Sequence, residues 1–160
     1  MSTSRTNHRA FSLIECMIVV IMLSIVVPIT SMFLDQRASQ RADAVQALRA
    51  STLAQAVLEH VLADASSNAP GRGYAAFANA NTYLNDPATG LYSRIASMLN
   101  FYDNMGVTCV VTISSPVSIS GSATGVPAQD LFRIVTVQVS APTSRGIDID
   151  VALETMVTDL

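Results

Sequence analysis

Apolar residues run almost unbroken from Phe11 to Leu34, and beyond Asp35 the pattern changes to apolar positions three and four apart. The first run, about 24 residues long, makes a helix of about 36 Å, enough to cross about 30 Å of hydrocarbon. In the second, Ala38, Ala42, Val45, Leu48, Leu53, Ala56, Val57 and Val61 recur at helical spacing, with Arg41, Gln46, Arg49, Gln55 and Glu59 between them. Alanine is abundant there and no Gly or Pro intervenes, so one helix is predicted from Phe11 to Ala65, about 80 Å long. Pro28 lies inside the apolar half, where it removes the amide that would bond the Ser24 carbonyl; a helix kink is expected at that turn. Ser24, Thr30 and Ser31 are near enough to re-satisfy some of the freed groups.

Ser66-Ser67-Asn68-Ala69-Pro70-Gly71 ends the helix, since a polar cluster followed by Pro-Gly is a strong breaker. Tyr74 to Met105 reads as mixed loop with one short helix around Leu91, Ile95, Met98 and Leu99. The last third reads as strands. Val107, Cys109, Val111 and Ile113 alternate with Thr108 and Thr112; Leu131 to Val139 is dense in Val and Ile; Ile147, Ile149, Val151, Leu153 and Val157 alternate cleanly after a turn at Pro142 to Gly146. Between the first two strands lies a Ser/Gly/Pro-rich loop, about Ser114 to Asp130, long enough to suggest function or mobility. The expected fold is α+β: a long N-terminal helix, membrane-spanning over 11–34 and amphipathic over 35–65, then a head over 66–160. The helix packs on a small antiparallel sheet at about 107–157.

A length of 160 residues leaves room for one modest domain beyond that helix. Half the residues are hydrophobic and only 13% charged, as a membrane segment plus a weakly charged exterior requires. All nine basic residues are arginine, and they are scattered. A nucleic-acid binder more often shows a basic stripe with interleaved aromatics, so nucleic acid is not an expected partner. Arg37 and Arg41, four apart just beyond the apolar run, are placed either to touch lipid headgroups or to face water. Cys16 and Cys109 belong to different elements and are read as small apolar fillers rather than a bridge.

Catalytic signatures are missing. His8 and His60 are the two histidines, and neither has a nucleophile-elbow motif nor metal-ligand spacing near it. Gly71-Arg72-Gly73 has no preceding strand and no following Gly-Lys, so it is a turn and not a phosphate loop. Asp148, Asp150 and Glu154 share one face of the last strand, but a strand spaces such carboxylates about 7 Å apart and cannot wrap an ion. They are read as solvent-facing; no metal, cofactor or enzymatic activity is expected.

The distinctive motif is Arg9-Ala10-Phe11-Ser12-Leu13-Ile14-Glu15. Glu15 sits inside the apolar run, where a charge costs at least about 2.5–3.5 kcal/mol and marks a functional position by default. Cleavage between Ala10 and Phe11 would create a cationic amine about one helical turn away. That amine is poorly placed to pair within its own helix, but a neighbouring copy shifted along the membrane normal can offer it.

This stretch resembles the class III signal of type IV pilins and type II secretion pseudopilins. That signal has a short basic leader, a small residue at the cut, an aromatic residue first in the mature chain and a glutamate fifth. Phe11-Ser12-Leu13-Ile14-Glu15 fits position by position, and Ile18 to Phe33 supplies the apolar helix that follows. The family usually has glycine before the cut, where this chain has Ala10. The similarity covers about the first third of the chain. It implies removal of residues 1–10 by a prepilin peptidase, N-methylation of Phe11, and assembly in which Glu15 pairs with a neighbour's Phe11 amine. The implied partners are that peptidase, other pilin or pseudopilin subunits, an inner-membrane assembly platform and membrane lipid. The implied location is the bacterial inner membrane, single-pass with the C-terminal domain outside the cytoplasm, and then a pilus or pseudopilus. Pro28 is a shifted match to a proline that pilins often carry further along this helix. Many pilins also close their C-terminal region with a disulfide; its absence here, with Ala10, points toward a minor subunit. The alternative is a single-pass anchor that displays a small binding domain and joins no filament.

Overall fold

The computed structural model describes residues 13–158. Helix α1 runs Leu13–Ala65 and is followed by a 3-10 turn at Tyr74–Asn79. Short helices α2 (Ala80–Asn85), α3 (Leu91–Arg94) and α4 (Ala96–Asp103) come next. Strands β1 (Thr108–Ile113), β2 (Phe132–Ala141) and β3 (Ile149–Thr158) complete the order. The fold is α+β, with a long helix whose first half is apolar and an antiparallel C-terminal sheet, as the pattern predicts. The chain divides into two compact units between Arg41 and Ala42.

In the first unit, α1 is helical without a break through Pro28. The hydroxyls nearby are engaged locally. Ser24 donates to the Val20 carbonyl at 2.7 Å, Thr30 to those of Val26 and Val27 at 2.9 and 3.0 Å, and Ser31 to that of Pro28 at 2.8 Å. None of the three bonds the Ser24 carbonyl, so the compensation expected at that site is not made by them.

In the second unit the sheet is a meander with β2 in the centre. β1 meets β2 with Val111 opposite Val137, and β2 meets β3 in ten consecutive pairs from Phe132–Thr158 to Ala141–Ile149. Because side chains alternate across a strand, the odd-numbered residues form one face. Val111, Val135, Val137, Val139 and Val157 on that face are buried in a single core with Ala50, Leu53, Ala54, Val57 and Val61 of α1. Phe77, Tyr83, Leu84, Leu91 and Ile95 close the same core from the connecting region. Tyr74 to Asn85 is thus helical where mixed loop is expected, and the single helix expected around Leu91 is two. These turns are only six, six, four and eight residues long. At such lengths apolar periodicity has too few repeats to declare itself.

The segment between β1 and β2 is held to the sheet at Val117, which exchanges backbone hydrogen bonds with Phe132 at 2.7 and 3.0 Å. Further along, the Asp130 carboxylate accepts the amides of Thr124 and Gly125 and the Thr124 hydroxyl. The β2–β3 turn is tied to α1 as well, where Asp43 accepts the Ser144 amide at 2.9 Å.

Candidate assembly helix and the anchoring cluster of the head

Between Leu13 and Leu34 every residue is exposed. The most apolar 18-residue window of α1 has a mean hydropathy of 2.6, and none of it is buried. By length and composition this helix can cross a membrane. Glu15 is on its first described turn, exposed among Leu13, Ile14 and Met17. Cys16 is exposed beside it, so any filling role for that thiol requires a neighbour outside this chain. Leu13, Cys16, Met17, Val20 and Ile21 border a shallow, almost wholly apolar depression of about 290 Å³. Ala10 and Phe11, the residues of the expected junction, lie outside the described residues.

In the head, the charged centre is Asp64, one residue before α1 ends and only 4% exposed. Its two oxygens receive Arg94 fork to fork, Nη1 to Oδ1 at 2.7 Å and Nη2 to Oδ2 at 2.5 Å. The Tyr83 hydroxyl donates to Oδ2 at 2.8 Å, and Arg72 Nε stands 3.6 Å from Oδ1. The Asp64 carbonyl accepts the amides of Ser67 and Gly73 at 3.0 and 2.9 Å. One residue therefore ties the end of α1 to the connector, to α2 and to α3.

Local structure delivers each partner. The Asp86 carboxylate accepts the Ala88 and Thr89 amides, folding a tight turn before α3. Gly90 is obligatory there, because a Cβ would lie 2.5 Å from the Asp86 backbone. That turn sets the Thr89 carbonyl 2.9 Å from Arg94 Nε, which steers the guanidinium onto Asp64. Gly73 has φ of 84°, a left-handed conformation that favours glycine. The expected turn at Gly71-Arg72-Gly73 is present, with the Arg72 amide bonded to the Ala69 carbonyl at 3.0 Å.

Burial pushes the Asp64 pKa upward, but hydrogen bonds from Arg94 and Tyr83, with the charges of Arg94 and Arg72, outweigh it and hold it below its ordinary value. Burial first, and Asp64 second, push the Tyr83 phenol far above its usual range, so it donates as a neutral hydroxyl. The cluster is a structural tie: both Asp64 oxygens accept hydrogen bonds, from Arg94 and Tyr83, and Arg72 adds a longer, partly exposed ion pair.

This cluster is not among the positions that sequence motifs mark. The signal was present, since Asp64 occupies the next helical position of the buried series Ala50, Leu53, Ala54, Val57, Val61. A carboxylate on that face needs a cation. Which cation answers it was not legible, because Arg94 is 30 residues away across two turns.

The other expected positions are placed plainly. His60 is exposed on α1. Asp150 and Glu154 project from the outer face of β3, Glu154 accepting the Thr136 hydroxyl at 3.1 Å, while Asp148 lies before the strand. No group of three His, Cys, Asp or Glu side chains suited to a metal occurs among the described residues. Cys109 is half-buried against the core, and burial pushes its thiol up to about 11.

An apolar, exposed N-terminal helix continuing into a small antiparallel α+β head is a pilin-like architecture. Comparison with family models, with curated proteins and with solved structures found no match.

Proposed function

We propose that this protein is a structural subunit of the pilin or pseudopilin kind, a minor one. It is held in the bacterial inner membrane, cleaved after Ala10, N-methylated on Phe11, and inserted through its N-terminal helix into a type IV pilus or type II secretion pseudopilus. The observation that carries this reading is the wholly exposed apolar stretch of α1 with Glu15 near its start. Lipid covers such a surface before assembly and neighbouring helices cover it afterwards. Glu15 then meets the Phe11 amine of an adjacent subunit. Desolvation offsets most of that attraction, so the pair sets register more than it adds stability. The role is structural, and the one reaction involving the chain is its own processing.

The test is the N-terminal sequence of protein isolated from membranes together with the behaviour of Glu15→Ala. Expected results are a methylated Phe11 as first residue, and a Glu15→Ala chain that is cleaved normally yet enters filaments poorly. Retention of Met1 to Ala10 would point instead to a single-pass anchor. Normal incorporation of Glu15→Ala would remove the charge-pairing role.

A further inference from the structure

We propose that the free edge of β3 is a docking site for an extended segment of another polypeptide, added as a fourth strand and carrying Lys or Arg opposite Asp150 and Glu154. This inference goes beyond the filament reading and does not depend on the fate of Phe11.

The hydrogen-bond directions follow from one contact. The Val111 amide donates to the Tyr92 hydroxyl at 2.9 Å, so odd-numbered residues of β1 turn their backbone groups away from β2. The register then sends the even residues of β2 toward β1 and its odd residues toward β3. In β3 the odd residues complete that ladder. Asp150, Ala152, Glu154 and Met156 therefore point their N–H and C=O groups off the sheet, where no other strand lies among the described residues.

The two edges are treated differently. Tyr92 caps β1, and α4 packs beside it. β3 has ten residues paired in unbroken register, with no Pro, Gly or bulge to deter a newcomer. At its far end, Met156, Val157 and Thr158 form one wall of an open groove of about 610 Å³, with Leu62, Arg72 and Tyr74 among the residues opposite. A strand laid along β3 ends beside that groove, whose walls mix polar side chains such as Ser66, Asn68 and Arg72 with apolar ones.

Charge selects the occupant. Asp150 and Glu154 sit on the outer face, four residues apart, and residues directly opposite them on an added strand share that face. Cations at two positions four apart match them. A second copy of β3 is a poor occupant: it brings its own carboxylates to the same edge and no cation to meet them. The exposed face of β1 offers only Thr108, Val110 and Thr112.

The experiment is amide hydrogen exchange on the full chain in detergent micelles, with a synthetic decapeptide of alternating Val and Thr that bears two lysines four apart on one face. The control peptide has glutamates in place of the lysines. The lysine peptide is expected to slow exchange at Asp150, Ala152, Glu154 and Met156 by at least about tenfold and to leave Val151 and Leu153 unchanged. The glutamate peptide is expected to do neither. Equal protection by both peptides, by neither, or by raising the protein concentration alone overturns the proposal. Ala152→Pro removes an amide that the β2 ladder does not use, so it should abolish the protection with an unchanged unfolding midpoint. If that variant fails to fold, Asp150→Lys/Glu154→Lys should reverse the peptide preference; continued preference for the lysine peptide overturns the proposal.

Discussion

Arg94 reaches Asp64 as a two-pronged fork, at 2.7 and 2.5 Å, and the carboxylate it meets is almost wholly withdrawn from water. Removing one member of such a pair leaves the other charge buried. Arg94→Leu is expected to cost about 3 kcal/mol, the low end for a broken buried pair because Arg94 is itself one-fifth exposed. Asp64→Leu/Arg94→Leu together should cost less than Arg94→Leu alone, since no orphaned carboxylate remains. Urea unfolding followed through the tyrosine near-UV signal measures both; a double variant that loses more than Arg94→Leu alone contradicts the pairing.

Acid should remove the same contribution. The folded pKa of Asp64 is held below its ordinary value of 3.8. Stability from such a group is complete above the unfolded pKa and lost as pH falls through the folded one. The gap in unfolding free energy between wild type and Asp64→Asn is therefore expected to stay level from about pH 7 to about pH 5 and to narrow from about pH 4 downward. Denaturation series across that range test it, and a gap that widens on acidification contradicts it.

Tyr92 gives a separate test at the edge of the sheet. Its hydroxyl is the partner of the Val111 amide, and Val111 is buried. Tyr92→Phe keeps the ring and deletes the acceptor, so the amide loses its partner at a cost of about 1–3 kcal/mol. The Val111 amide should also exchange faster than its neighbours in β1. Unchanged exchange at Val111 would show that water replaces the hydroxyl.

Two leucines on α1 distinguish its faces. Leu53 is fully buried and Leu48 is 67% exposed. Leu53→Ala should cost about 2–5 kcal/mol by opening a cavity in the core. Leu48→Ala should stay within about 0.5 kcal/mol in the isolated protein. Comparable losses at both sites would mean that the outer face of α1 is covered.

Long periodic segments were legible in the sequence because their signal repeats. α1 was visible as an apolar run followed by helical spacing up to the Ser66–Gly71 breaker. β1 and β3 were visible as alternation and β2 as a run dense in Val and Ile, and odd-numbered residues such as Val111, Val137 and Val157 do face the core. What could not be read depends on meetings between distant residues. Tyr92 at the β1 edge, Asp43 under the Ser144 turn and Arg94 on Asp64 are each side chains whose partner lies 19 to 101 positions away. The connecting helices were obscured for another reason: with four to eight residues each, they are stabilised by the core they close and not by their own pattern.

The buried series Ala50, Leu53, Ala54, Val57 and Val61, with Asp64 bolted down just beyond it, has a mechanical corollary. A tug along the axis of α1 cannot unzip these attachments one by one. It has to slide the interlocked side chains and the charged bolt together, whereas a sideways pull meets them in sequence.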